Sequence, residues 1–173
     1  MQPTHSSSRI LLPVRPWFIS FSLLLALLVN FTPVGRLPGL PDWVAMVIVF
    51  WCVREPDRVG MTTAFVLGLV MDVADASLMG QHALGYVLAA YGASALSRRI
   101  LWFPLSQQAM HLFPLFLGMQ LLTLLVRMAA GAGFPGWLFF LSCIAEVLLW
   151  TPLTYLLLMP QFQPVEKDEN RPI

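Results

Sequence analysis

The chain has 173 residues, of which 58% are hydrophobic and only 11% charged, and its formal net charge is +1. A soluble domain carries roughly 25% charged residues, so this sequence lacks the polar surface to cover itself in water, and lipid must do the covering. No basic stripe exists that could displace condensed counterions, which excludes nucleic acid as a partner.

A polar, proline-punctuated tail, residues 1–15, carries Arg9 and Arg15. The first apolar run, about residues 17–33, closes at Thr32-Pro33. A basic flank before an apolar run has the form of a signal peptide. The residues that follow, TPVGRLPG, hold no small-x-small cleavage site, and apolar segments continue along the chain, so the run reads as a retained first span. The second run, about 40–53, is short and stops at Arg54, Glu55, Asp57 and Arg58. The third covers 59–74, and the polar stretch from Asp72 to His82 turns the chain. The fourth covers 83–97 and stops at Arg98-Arg99; the fifth covers 104–127 and ends at Arg127. After the turn GAGFPG the sixth covers 137–159, followed by Pro160 and a polar, partly acidic tail, residues 161–173.

Residues 16–160 therefore read as one polytopic transmembrane domain: an all-α integral membrane protein, a compact bundle of about six helices. Several runs, the second and fourth among them, are shorter than the roughly 20 residues that cross about 30 Å of hydrocarbon. Longer neighbours can shelter short spans, and a four- or five-span count stays open. In the six-span arrangement Arg9, Arg15, Arg54, Arg58, Arg98, Arg99, Lys167 and Arg171 fall on one side, against Arg36 and Arg127 on the other. That asymmetry predicts cytoplasmic termini at both ends. Trp17, Trp43, Trp51, Trp102 and Trp137 sit near predicted span ends, as an aromatic belt would have them; Trp150 lies inside the sixth span. Cys52 and Cys143 fall in opposite halves of the membrane and read as small apolar packing residues.

Catalytic signatures are missing from the sequence: there is no P-loop, HExxH or GxSxG, and His5, His82 and His111 are scattered. No enzyme, cofactor or metal site is assigned. The third span holds the most informative pattern. Gly60, Ala64, Gly68 and Asp72 recur every four residues and share one helix face. Small residues at that spacing let a neighbouring helix approach closely. Asp72 then points into a seam, either as a cap for the turn into the fourth span through nearby N–H groups or as a recognition residue. Gly85, Ala89, Gly92 and Ala93 repeat the theme in the fourth span, after a tight outer turn containing Gly80 and His82. Asp72, Asp75 and His82 together are too sparse a set to define a metal site. Glu146 is predicted near the middle of the sixth span, where an ionised side chain costs on the order of 3 kcal/mol. It reads either as a neutral carboxyl bonded to a neighbour such as Gln120 or Asn30, or as a functional acid that couples protons or meets a partner helix. Few intramembrane polar groups accompany it (Asn30, Gln120, Thr123, Thr151), which leans against a polar ligand.

The block WCVREPDRVGMTTAFVLGLVMDVADASLMGQHALGYVLAAY, from Trp51 to Tyr91, resembles the rod shape-determining protein MreD family of the bacterial cytoplasmic membrane. The likeness rests on Trp51, Pro56 and Gly60, then FVLGLVMD with Gly68 and Asp72, then Gly80-Gln81-His82-Ala83-Leu84 and Tyr86. Arg98-Arg99, Pro104 and Gln107-Gln108 also suit it. The resemblance implies a non-catalytic scaffold of the cell-elongation complex that builds the lateral peptidoglycan wall. Its implied partners are MreC and, through it, MreB, RodZ, RodA and a penicillin-binding transpeptidase. It also implies a helical fold like that of the substrate-binding membrane subunits of energy-coupling-factor transporters. It carries over no catalytic residue and assigns no role to Glu146 or Trp150. The alternative reading is a small membrane-embedded solute-binding subunit of a transporter, which a polar cavity lined from several spans would distinguish.

Overall fold

The computed structural model describes residues 14–32 and 39–161. These residues form six α-helices: α1 (Pro16–Phe31), α2 (Trp43–Arg54), α3 (Met61–Ala74), α4 (Gln81–Leu101), α5 (Leu105–Ala129) and α6 (Leu141–Leu158). Single 3-10 turns, Trp137–Phe140 and Met159–Gln161, flank α6. Local chemistry sets the helix starts. Pro16 occupies the first turn of α1, where its missing N–H is no loss. Asp42 caps α2 by accepting from Ala45 N at 3.1 Å. Helix α4 runs past the expected stop at Arg98-Arg99, because two cations in a last turn suit the negative end of the helix dipole.

Helix α2 is the centre of the bundle. Every residue from Val44 to Val53 is buried, and α2 packs against α1, α4 and α6. Its 12 residues span only about 18 Å, yet a helix that is apolar all round can sit wholly inside protein. The remaining contacts run α3 to α4, α4 to α5 and α5 to α6. Large apolar side chains cover the outside instead: Phe21 and Leu25 on α1, Phe65 and Val73 on α3, Leu125 on α5, Leu148 and Leu156 on α6. Residues 105–129 and 137–161 form the two helical segments long and apolar enough to cross a membrane among the described residues, with α1, α2 and α3 as shorter apolar helices.

Successive helices alternate in direction. One end of the bundle gathers Arg15 at the start of α1, Arg54 at the end of α2 with Arg58 just beyond it, and Arg98 and Arg99 at the end of α4. The Arg58 guanidinium closes this end by donating to Val14 O at 2.7 Å. Arg127 lies at the other end, while Arg9, Arg36, Lys167, Arg171 and His5 lie outside the described residues. The aromatic belt needs one correction. Trp17, Trp102 and Trp137 are well exposed at helix ends, but Trp51 is fully buried and donates through Nε1 to Ser22 Oγ at 2.8 Å. Its indole belongs to the α1–α2 core, because the polar N–H finds a partner there. Trp150 is likewise buried, against Phe50 and Phe116. Cys52 and Cys143 are both buried free thiols.

Candidate functional site

The small-residue face of α3 is occupied by α4 of the same chain. An added Cβ at Gly68 would lie 2.3 Å from Ala83 Cα, so the two backbones meet at this point. Ala64 and Asp72, one turn to either side, are fully buried in the same seam. Gly85 plays a similar part between α4 and α5: its Cβ would meet Thr123 Oγ1 at 2.8 Å and Met119 Cγ at 3.2 Å. Two candidate glycines pack against no neighbouring helix: Gly60, assigned to the α3 face from its spacing, and Gly80 of the outer turn. Gly60 precedes the first helical residue of α3, and its Cβ would meet only Pro56 O, at 3.9 Å. Gly80 has open space around it but a φ of +101°, so it serves the turn through its backbone.

Asp72 ends the seam at the non-basic end of the bundle. Its Oδ2 accepts from Gly80 N at 2.8 Å and Ala83 N at 3.4 Å. Its Oδ1 accepts from His82 N at 2.8 Å and from Ser77 Oγ at 3.0 Å, and His82 Nδ1 stands 2.9 Å away. The carboxylate therefore satisfies the first orphan N–H groups of α4, where a negative charge also suits the helix dipole. With both oxygens occupied this way, Asp72 closes a turn. Among the described residues no cluster of three His, Cys, Asp or Glu side chains is placed to hold a metal.

Beside this turn lies a cavity of about 380 Å³. Five helices and the approach to α2 contribute to its wall, with Asn30, Asp42, Tyr86, Gln120, Ser142 and Glu146 as its principal polar groups. Asp42 is the hub. Its Oδ1 accepts from Asn30 Nδ2 at 2.8 Å as well as from Ala45 N, and its Oδ2 accepts from the Tyr86 hydroxyl. Asn30 Oδ1 accepts from Trp43 N at 3.2 Å, and Glu146 Oε1 accepts from Asp42 N at 3.3 Å. On the far wall Gln120 Nε2 donates to Phe139 O at 3.3 Å and to Ser142 Oγ. Glu146 is wholly buried, and its Oε2 has no partner; Gln120 Oε1 has none either.

Two expectations about these groups change. Glu146 bonds neither Gln120 nor Asn30: the Asp42 backbone lies closer, because α2 and α6 run side by side in the same direction. Glu146 lies inside the apolar helical segment 137–161, as expected, in the second turn of α6 proper, where it lines the cavity. Of the sparse polar residues that leaned against a polar ligand, Asn30, Gln120, Thr123 and Glu146 converge on one space, which their scatter along the chain concealed; Thr151 lies outside it. Asp42 and Tyr86 were absent from the candidates. Asp42 carried a readable signal, an acidic N-cap directly before an apolar run; Tyr86 had only its place in the resembling block.

The family model described as rod shape-determining protein MreD matches residues 8–160. The rod shape-determining protein MreD of Haemophilus influenzae is 30% identical over 130 residues, covering 73% of this chain and 77% of that protein. No solved structure matches the chain. Both matches describe a structural protein of rod-shape determination rather than an enzyme. A match that runs through the seam, the Asp72 turn and the cavity-lining helices makes this chain a member of the MreD family of rod shape-determining proteins.

Proposed function

We propose that the chain is a six-span, non-catalytic scaffold of the cell-elongation complex, with both termini in the cytoplasm, and that it supports lateral wall synthesis by holding MreC through its transmembrane segment. The observation that carries this reading is family membership over residues 8–160. MreB, RodZ, RodA and an elongation transpeptidase would be reached through MreC. The bundle supports a helix-mediated contact because the connections from α2 to α6 are short, whereas a standard interface needs about 800 Å² per partner. Since α4 fills the small-residue face of α3, the reading puts the partner helix on the outward side of α3, where Phe65, Val66, Val70 and Val73 are exposed. Dispersion over such a face can hold two helices together in lipid.

Co-purification in mild detergent tests the reading. Full-length MreC should be retained, and a photo-crosslinker at Val66 or Val73 should trap its transmembrane segment. Binding of the isolated soluble domain of MreC as tightly as the full-length protein would refute it.

A further inference from the structure

We infer that the cavity at the Asp42–Glu146 end of the bundle is a binding site for a primary ammonium group on a short apolar carrier. This goes beyond the scaffold reading and does not depend on it. The argument is an inventory of donors and acceptors. Most side-chain donors of the wall are committed to the protein: Asn30 Nδ2 and the Tyr86 hydroxyl to Asp42, Gln120 Nε2 to Phe139 O and Ser142 Oγ, Ser142 Oγ to Phe139 O, and His82 is engaged with Asp72 through Nδ1. The Thr123 hydroxyl, which can donate or accept, also lines the space. The lining atoms that are buried without a partner are both oxygens. They are Glu146 Oε2 and Gln120 Oε1, and they come from different helices lining the same space. The Gln120 amide cannot simply turn over, since its nitrogen faces the Phe139 carbonyl, which only accepts.

An occupant must therefore bring donors. The wall also carries three carboxyl groups, Glu146 buried, Asp42 half-buried and Asp75 at an exposed position, and it contains no lysine or arginine. Arg127, one turn beyond Thr123 on α5, stays outside it. His82, the one imidazole of the lining, is already engaged by Asp72, so an anion would face mainly carboxyl groups, and a neutral acceptor would leave the open oxygens unsatisfied. An ammonium group supplies three donors, no acceptor and the complementary charge. Leu40, Pro41, Met71, Met119 and Phe139 form the apolar part of the lining and suit a short hydrocarbon carrier. A cavity of about 380 Å³ falls at the small end of ligand sites.

Two sources share this chemistry, a free amine and the ethanolamine headgroup of a lipid. The test uses the full chain in nanodiscs of phosphatidylglycerol, in an amine-free buffer, with n-butylamine as the probe and thermal stability as the readout. The amine should raise Tm saturably, while butanol and butyrate at equal concentration should not. Glu146→Gln should weaken the apparent affinity by at least about tenfold, as expected when a charge-assisted hydrogen bond is lost. Ser142→Leu, which fills the space and keeps the carboxyl groups, should have the same effect and stands in if the first variant does not fold. Adding phosphatidylethanolamine to the discs should shift the butylamine titration to higher concentration if the headgroup is the natural occupant, and leave it unchanged if a free amine is. The inference is overturned if butylamine stabilises no more than butanol does, which would leave water as the occupant. It is equally overturned if the folded variants titrate like the parent.

Discussion

Replacing Gly68 with alanine would put a methyl carbon 2.3 Å from Ala83 Cα and 2.7 Å from Ala83 N. Both are backbone atoms, so no side-chain rotation relieves the clash. Restoring ordinary contact requires α3 and α4 to part by roughly 1 Å. Asp72 lies one turn further along the same face, and its bonds to Gly80 N and His82 N are 2.8 Å long. An opening of that size would carry them past the hydrogen-bonding range of about 3.2 Å. Overpacking by itself costs about 1–3 kcal/mol, and weakening hydrogen bonds to a charged group costs about 1.5–3 kcal/mol each. The chain will settle on a compromise between the two, so a loss of about 2–4 kcal/mol is expected. Thermal unfolding in detergent should show it as a Tm lower by several degrees. Gly60→Ala is the matched control: its φ of −141° suits any residue, and nothing but Pro56 O lies within 4 Å. That change should stay within about 0.5 kcal/mol of the parent. If Gly68→Ala melts together with the control, the close approach of α3 and α4 is not what holds this seam.

Asp72→Asn replaces one accepting oxygen with an NH2 group that must face the N–H of either Gly80 or His82. A loss of about 1–3 kcal/mol is expected, together with faster hydrogen exchange at those two amides; unchanged exchange would show that the carboxylate does not cap α4. For the six-span arrangement, a reporter active only in the periplasm and fused after Ile173 should stay silent. Activity there would require an odd number of spans.

The outcome for individual residues shows which kinds of information are local. Composition alone calls for lipid as the solvent, and the exposed Phe65, Leu125 and Leu148 answer that call, because too few charges exist to cover any other surface. The four-residue spacing of Ala64, Gly68 and Asp72 is also local, since a helix turns at nearly that period and must put them on one face. Spacing could not tell that Gly60 falls just before the helix, or that the face belongs to α4 and not to another protein.

Four polar residues mark the boundary between sequence and tertiary structure. Asn30, Asp42, Tyr86 and Glu146 stand on four different helices or their caps and share no periodicity. Apart from the N-cap signal of Asp42, each shows in the sequence only as a polar group that must find a partner or water. Trp51 is the same case in the core, an apparent belt residue until α1 supplies Ser22. The sequence by itself determined the solvent, the helices and the α3 packing face, because these follow from composition and from the pitch of one helix. Only the tertiary structure decided that α2 lies at the centre and that its Asp42 cap gathers a polar cavity. That choice depends on the register between helices distant in sequence, to which no single helix's periodicity contributes.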